Sequence, residues 1–365
     1  MIDQTVDLII ICLGLALTPL LFFRFPHLPA AGRGEYPSIS VIIPARNEAA
    51  NLPLILGDLK NQTVTPLEVI CVDDDSTDET AAAAAACGAS VISLSDKPKG
   101  WTGKSWACQN GAKEARGTLL LFLDADVRLG PEALARVAKA YADETVTLSV
   151  QPFHETGSLS EQCSMIFNFI QVAASGTTLP HFDCRGLHGP LILIPQAVYW
   201  QIGGHASVRQ SLIEDVDLGR RLKQCGHSFC LFVGDDAVRY RMYAGGLKSL
   251  FQGWVKNMAA GAAAVPAPLF VAVFFWLSSL ISVPLQIVRF ATDALLPLYI
   301  VLYLLWVLIL FCLASKLVRV SVWTVIFYPL VMAVTLAIFT VSLCKNLFRL
   351  PVMWKGRSIT KEEHP

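Results

Sequence analysis

Apolar and polar positions alternate with three different periods along this chain. Residues 6–23 are apolar with few interruptions, among them Gly14, Thr18 and Pro19. From Ser38 onward, apolar runs of strand length alternate with helical stretches. Ile39-Ser40-Val41-Ile42-Ile43 reads as a strand stopped by Pro44, and Ala45-Arg46-Asn47-Glu48 leads into a helix through Leu59. Further strands are expected at residues 68–72, 89–94, 119–123, 146–150, 188–194 and 229–233. Helices are expected at 81–86, closed by Gly88, at 104–115, from Pro131 to Tyr141, over 159–174 as one piece, and over 247–258. The 119–123 run is five apolar side chains without a polar alternate, the pattern of a strand covered on both faces. Repeated strand and helix units predict an α/β domain with a mostly parallel sheet.

Beyond that domain the third pattern begins. Residues 269–288, 295–314 and 320–343 are each long enough to cross a hydrocarbon core of roughly 30 Å. Composition agrees, with 54% hydrophobic and 16% charged residues and the apolar excess at the two ends. Asp3 lies before the first apolar run, Asp7 at its very start, and Arg24 and Arg33 follow it, the reverse of a signal peptide. A retained anchor with its C-terminal end in the cytoplasm fits that charge order. The expected division is an anchor and linker at 1–35, a soluble domain at 36–262, membrane segments at 263–345 and a basic tail at 346–365. One conflict stands: if all three later segments cross, Lys345, Arg349, Lys355, Arg357 and Lys361 lie on the side opposite the soluble domain, against the positive-inside tendency. Either one segment, the Pro-flanked first in preference, is re-entrant or interfacial, or the charge tendency is overridden. Formal net charge is zero, which gives no basic field for nucleic acid. The ten cysteines show no metal-ligand spacing and read as reduced thiols.

Candidate chemistry gathers at strand ends. The 119–123 strand runs into Asp124-Ala125-Asp126. Ligands of open α/β sheets bind outside the carboxyl ends of the strands, and two hard oxygen donors there suit Mg2+ or Mn2+ with substrate phosphates completing the shell. The alternative is a pair of solvated turn acids before Pro131. Asp73-Asp74-Asp75-Ser76-Thr77-Asp78 follows the second strand; Asp73 suits hydrogen bonds from a uracil N–H or ribose hydroxyls, whereas Asp75 and Asp78 read as turn and cap residues. Lys104 opens a helix after Gly100-Trp101-Thr102-Gly103, placed either to reach a phosphate or as a solvated lysine. Glu214-Asp215 begins another helix, as N-terminal acids or as a general base. Neither a Walker A sequence nor Gly-x-Gly-x-x-Gly occurs, which excludes a P-loop nucleotidase and a dinucleotide oxidoreductase as first readings.

Taken in order, Ser40-Val41-Ile42-Ile43-Pro44-Ala45-Arg46-Asn47-Glu48, Val72-Asp73-Asp74-Asp75-Ser76-Thr77-Asp78, Leu123-Asp124-Ala125-Asp126 and Glu214-Asp215 resemble the family 2 glycosyltransferases over residues 38–260. The resemblance implies a GT-A fold, a nucleotide-diphosphate sugar donor, a divalent metal at Asp-x-Asp, and inversion by direct displacement. It implies donor contacts for Pro44, Ala45, Glu48 and Asp73, metal ligation by Asp126 with Asp124 beside it, and Asp215 as base. Gly103-Lys104-Ser105-Trp106-Ala107-Cys108, Arg241-Met242-Tyr243, Gly253-Trp254-Val255-Lys256 and Trp354-Lys355-Gly356-Arg357 resemble the membrane-bound, lipid-glycosylating branch, with bacterial carotenoid glycosyltransferases acting on diaponeurosporenoate nearest. Asp75 stands where the family usually has glycine, and the Gln-x-x-Arg-Trp of processive synthases is absent. The expectation is therefore a metal-dependent hexosyltransferase, taking glucose from a UDP-sugar to a membrane lipid acceptor. It would be a multi-pass protein of the cell membrane with its catalytic domain in the cytoplasm. The alternatives are a non-catalytic scaffold that binds a nucleotide sugar or lipid, and a polysaccharide synthase.

Overall fold

The computed structural model describes residues 2–32, 34–180, 184, 186–348, 350, 352–354 and 357–359. Arg33 and, in the expected basic tail, Arg349, Lys355 and Lys361 lie outside the described residues. The chain divides into two compact units. One comprises Pro26–Phe153, Arg185–Arg241 and Met353–Pro365, the other Met1–Phe25, His154–Cys184 and Met242–Val352.

A seven-stranded sheet organises the first unit. Its strands are Ile39–Ala45 (β1), Glu68–Asp74 (β2), Ser90–Leu94 (β3), Leu119–Leu123 (β4), Thr147–Gln151 (β5), Leu191–Pro195 (β6) and Phe229–Val233 (β7). They lie in the order β3-β2-β1-β4-β6-β5-β7. β1 pairs in parallel with β2 and β4, β2 with β3, and β5 with β7. β6 runs antiparallel to both of its neighbours. Every residue of β4 is buried, as its uninterrupted apolar run requires of a central strand.

This topology decides where polar groups can gather. β1, β2 and β4 end at one edge, with Ala45 opposite Asp73 and Ile42 opposite Phe122 in register. Because β6 is antiparallel and Leu191 lies opposite Leu123, the residues just before β6 reach that same edge. The chain order reverses between β1 and β4, which opens a crevice there. Beyond Asp126, Val127–Leu129 pairs antiparallel with Val238–Tyr240. Arg128 forks onto Asp58 at 2.6 and 2.9 Å, fixing the segment that leaves the crevice.

The second unit is helical. Ala267–Arg289, Leu296–Leu317 and Tyr328–Leu347 are long and apolar enough to cross a membrane. The apolar helix Ile2–Leu21 lies antiparallel along Ala267–Arg289, joined by Gln286 Nε2 to Asp7 Oδ2 (2.6 Å), Ser279 Oγ to the Ile11 carbonyl (3.2 Å) and Trp276 Nε1 to Thr18 Oγ1 (3.1 Å). Gly14 permits this approach, since a Cβ there would lie 2.2 Å from that of Ser279.

Two stretches read as single helices are broken. The 159–174 stretch forms Leu159–Gln162 and Met165–Ser175, with i to i−3 bonds at Cys163 and Ser164 tightening the junction. The 320–343 stretch forms Val322–Ile326 and Tyr328–Leu347, because Pro329 has no N–H to continue the ladder past Phe327. Among the described residues, which include all ten cysteines, no disulfide is formed.

Candidate active site

Three stretches distant in sequence meet at one ammonium group. β4 delivers Asp124 to the sheet edge, where its N–H donates to the Pro190 carbonyl at 2.9 Å. Lys104 lies in the first turn of helix Gly103–Glu114, which Thr102 caps by accepting from the Ser105 N–H. Its Nζ is 2.7 Å from Asp124 Oδ1, 3.3 Å from Glu214 Oε1 and 3.5 Å from the Gly189 carbonyl. Burial alone would lower the Lys104 pKa, but the charges of Asp124 and Glu214 outweigh it and hold the group well above the ordinary lysine range. Lys104 is therefore a fixed positive charge at neutral pH.

Asp215 stands beside this cluster. Its Oδ1 accepts the Val216 N–H at 2.9 Å, and a Cβ at Gly189 would lie 2.9 Å from its Oδ2. Glycine at 189 is thus what lets the loop before β6 pass the carboxylate. Burial first, and then the charge of Glu214, push the Asp215 pKa up to about 7; Lys104 and the Val216 N–H act in the opposite direction. A carboxyl that titrates near neutrality has the property of a proton acceptor.

Behind these charges is a buried polar scaffold that the sequence reading missed. The Tyr199 hydroxyl lies 2.9 Å from Nδ1 of His205 and 3.2 Å from Gln109 Oε1, and the Ala206 N–H donates to the same Gln109 oxygen at 2.9 Å. Burial lowers the pKa values of His188 and His205 to about 4, so neither carries charge at neutral pH. Gln109 lies about ninety residues from the Tyr199–Ala206 stretch that it meets. Nothing in spacing or composition marks them before the fold is known.

A second group forms at the ends of β1 and β2. Pro44 and Ala45 close β1 opposite Val72 and Asp73. Asp73 is buried, and its Oδ1 accepts the Ser76 N–H at 3.2 Å. The Glu48 carboxylate accepts from Asn51 Nδ2 at 2.6 Å, while its backbone N–H donates to Thr80 Oγ1 at 2.8 Å. Asp78 accepts from the N–H groups of Thr80 and Ala49, a capping arrangement.

Asp75, at the position where the family usually has glycine, has a left-handed backbone with φ of 54°. Arg46 donates to the carbonyls of Asp74 and Asp75 at 2.5 and 2.6 Å and lies 3.5 Å from the Asp75 carboxylate. A β-branched side chain is disfavoured in that conformation. Asp75→Val should lower stability by about 1–2 kcal/mol, whereas Asp75→Gly should be neutral or slightly stabilising, because the exposed ion pair contributes little. Thermal unfolding midpoints of the two variants check this.

Asp126 is half-buried one residue beyond Ala125, and its carbonyl accepts the Arg241 N–H at 3.2 Å. Among the described residues, no three His, Cys, Asp or Glu side chains converge into a closed metal cage. The donor chemistry at Asp124 and Asp126 is of the open kind. Mg2+ and Mn2+ commonly use one or two carboxylates and take their remaining ligands from phosphates and water. The Lys104 ammonium on Asp124 also shows that this carboxylate attracts positive charge.

Residues 40–201 match the family model for glycosyl transferase family 2. The chain is 34% identical over 248 residues to a 4,4'-diaponeurosporenoate glycosyltransferase of Staphylococcus haemolyticus (strain JCSC1435), spanning 66% of each chain. It is 34% identical over 277 residues to the protein of that name in Staphylococcus aureus (strain MRSA252), spanning 74% of each. A mannosyltransferase of Pyrobaculum calidifontis, solved in complex with GDP-Man and Mn2+, superposes with a TM-score of 0.54 at 18% identity, covering 93% of this chain and 99% of that one. The sheet and that superposition give a GT-A-like α/β fold. By its matched motifs and its relatives, the chain belongs to glycosyl transferase family 2 and is a glycosyltransferase.

Proposed function

We propose that this enzyme moves a hexose, glucose from UDP-glucose, with inversion onto a membrane lipid, specifically a carotenoid carboxylic acid. The observation that carries the reading is the meeting of Lys104, Asp124, Glu214 and Asp215 at the carboxyl edge of the sheet: a fixed cation beside a carboxyl that titrates near neutrality. The relatives' name supplies the acceptor class, and the complex of the archaeal mannosyltransferase with GDP-Man and Mn2+ supports a nucleotide-sugar donor and a divalent cation.

In this reading, Pro44, Ala45 and Glu48 line the nucleoside and Asp73 accepts from the base or ribose. Asp124 and Asp126 would hold a Mg2+ or Mn2+ ion, which when bound supplies further charge neutralisation for the diphosphate. Lys104 stabilises the negative charge that grows on the leaving diphosphate as the glycosidic bond breaks. Asp215 faces the acceptor, taking its proton if it is an alcohol and orienting it if it is already ionised. Residues 36–262 would form the catalytic domain, 1–35 an anchor, 263–345 the membrane part and 346–365 a basic tail. The protein would span the cell membrane more than once with its catalytic domain in the cytoplasm, in the bilayer that dissolves such an acceptor.

Mass spectrometry of lipid extracts from cells with and without the gene tests the reading. A hexosylated lipid acid should vanish on deletion and return with the intact gene. An unchanged lipid profile while the chain is being made would contradict it.

A further inference from the structure

We infer that the last apolar segment is a re-entrant hairpin, so that the chain returns to the membrane face on which helix Ile2–Leu21 ends. The hairpin rests on the proposed embedding of the second unit in a bilayer, and the contacts that define it lie within that unit.

A single layer of residues marks one face. Thr178 binds the Leu21 carbonyl and its own carbonyl accepts the Arg24 N–H at 3.1 Å, which ties the end of the first helix to the 165–178 stretch. Trp254 Nε1 donates to Ser164 Oγ at 3.1 Å, and the Trp254 and Phe167 rings stack at 4.4 Å, so 250–255 belongs to the same layer. Leu296–Leu317 ends there too: Val318 bridges to His154, and the Arg319 N–H donates to the His154 carbonyl at 2.8 Å.

The last segment starts against this layer. The Ser321 N–H donates to Gln162 Oε1 at 3.0 Å, and the Thr324 hydroxyl binds the same oxygen. It then climbs. The Tyr303 hydroxyl binds the Ile326 carbonyl, the Tyr303 and Tyr328 rings stack at 5.2 Å, and Tyr328 Oη donates to the Leu280 carbonyl at 3.2 Å. Tyr303 is fourteen residues from Leu317, about 21 Å along its helix, short of the roughly 30 Å core.

From there it descends. Ile338 packs with Phe167, Leu250, Trp254 and Val255, and Ser342 Oγ donates to the Val255 carbonyl at 2.7 Å. Tyr328 to Ser342 is again fourteen residues, about 21 Å of helix, the length needed to return to the starting layer. A backbone break inside a bilayer is tolerated where protein satisfies its polar groups, and Tyr303 on the Ile326 carbonyl at the apex does so.

Charge placement follows. Lys316, Arg319 and Lys345 fall on the face where Ile2–Leu21 ends, together with Arg24. The opposite face receives the 290–295 turn with Asp293; Arg289 beside it lies 3.6 Å from Asp7. The hairpin removes the conflict with the positive-inside tendency, and the segment that turns back is the last one, not the Pro-flanked first. Ala267–Arg289 instead runs antiparallel along the first helix from Thr18 to Asp7.

Epitope tags placed in the full-length chain at the C-terminus, after Lys99 and after Thr292 test the inference by antibody access in intact and permeabilised cells. The C-terminal and Lys99 tags should share one sidedness and the Thr292 tag should show the other. If the chain stays in carbonate-washed membranes but the C-terminal tag matches Thr292, the hairpin is overturned and the membrane reading stands. If alkaline carbonate releases the chain, both are overturned.

Discussion

Asp215→Asn should lower turnover by about 10²–10⁴-fold on a lipid alcohol, and by much less on a lipid acid of matched chain. An alcohol must lose a proton to attack, whereas a carboxylic acid is ionised well below neutrality. Asn preserves the size of the side chain beside Gly189 while removing its capacity to accept a proton. The pH profile adds a second signature. Burial, and after it the charge of Glu214, raise the Asp215 pKa to about 7, and the base is the ionised form. Turnover on the alcohol should therefore rise as pH increases through about 7 and level off above it, and Asp215→Asn should abolish that rise. On the acid the rise should be absent in the parent enzyme too. Initial rates on the two acceptors across this pH range decide it, and equal, severe losses on both would assign Asp215 a role other than proton removal.

Asp126→Ala should lower transfer by about 10²–10³-fold with unchanged thermal stability, the loss expected when charge stabilisation of a leaving group is removed. EDTA should reduce the parent enzyme similarly, and added Mg2+ or Mn2+ should restore the parent but not the variant. Lys104 and Asp124 remain in that variant, so residual activity reports what that pair contributes without Asp126. Undiminished transfer after both treatments would remove the metal from the mechanism.

The mostly parallel sheet was legible because apolar stretches of strand length alternate with helical ones, and β4 is buried at all five positions, as the absence of polar alternation in 119–123 implies. Asp73, Lys104, Asp124 and Asp215 stood out because each follows a strand or opens a helix where chain order brings edges together. Less legible was what joins them. Glu214 was grouped with Asp215 by adjacency, but its ion pair with Lys104 depends on a fold contact across 110 positions of sequence. Gly189 matters through the space it leaves for Asp215, and a missing side chain gives no local signal. The helix break at Phe327 was foreshadowed by Pro329, yet hydropathy averaged over a window runs straight across it.

The most direct measurement uses the purified full-length chain in lipid nanodiscs with UDP-glucose, a divalent cation and a lipid carboxylic acid. UDP release and glycosylated lipid are followed together, and the anomeric configuration of the product is determined. The expected result is one UDP released per glycolipid formed, with the sugar's anomeric configuration inverted. Saturable UDP-sugar binding with no turnover on any nucleotide sugar or lipid acid, or a product that retains the donor configuration, would contradict it.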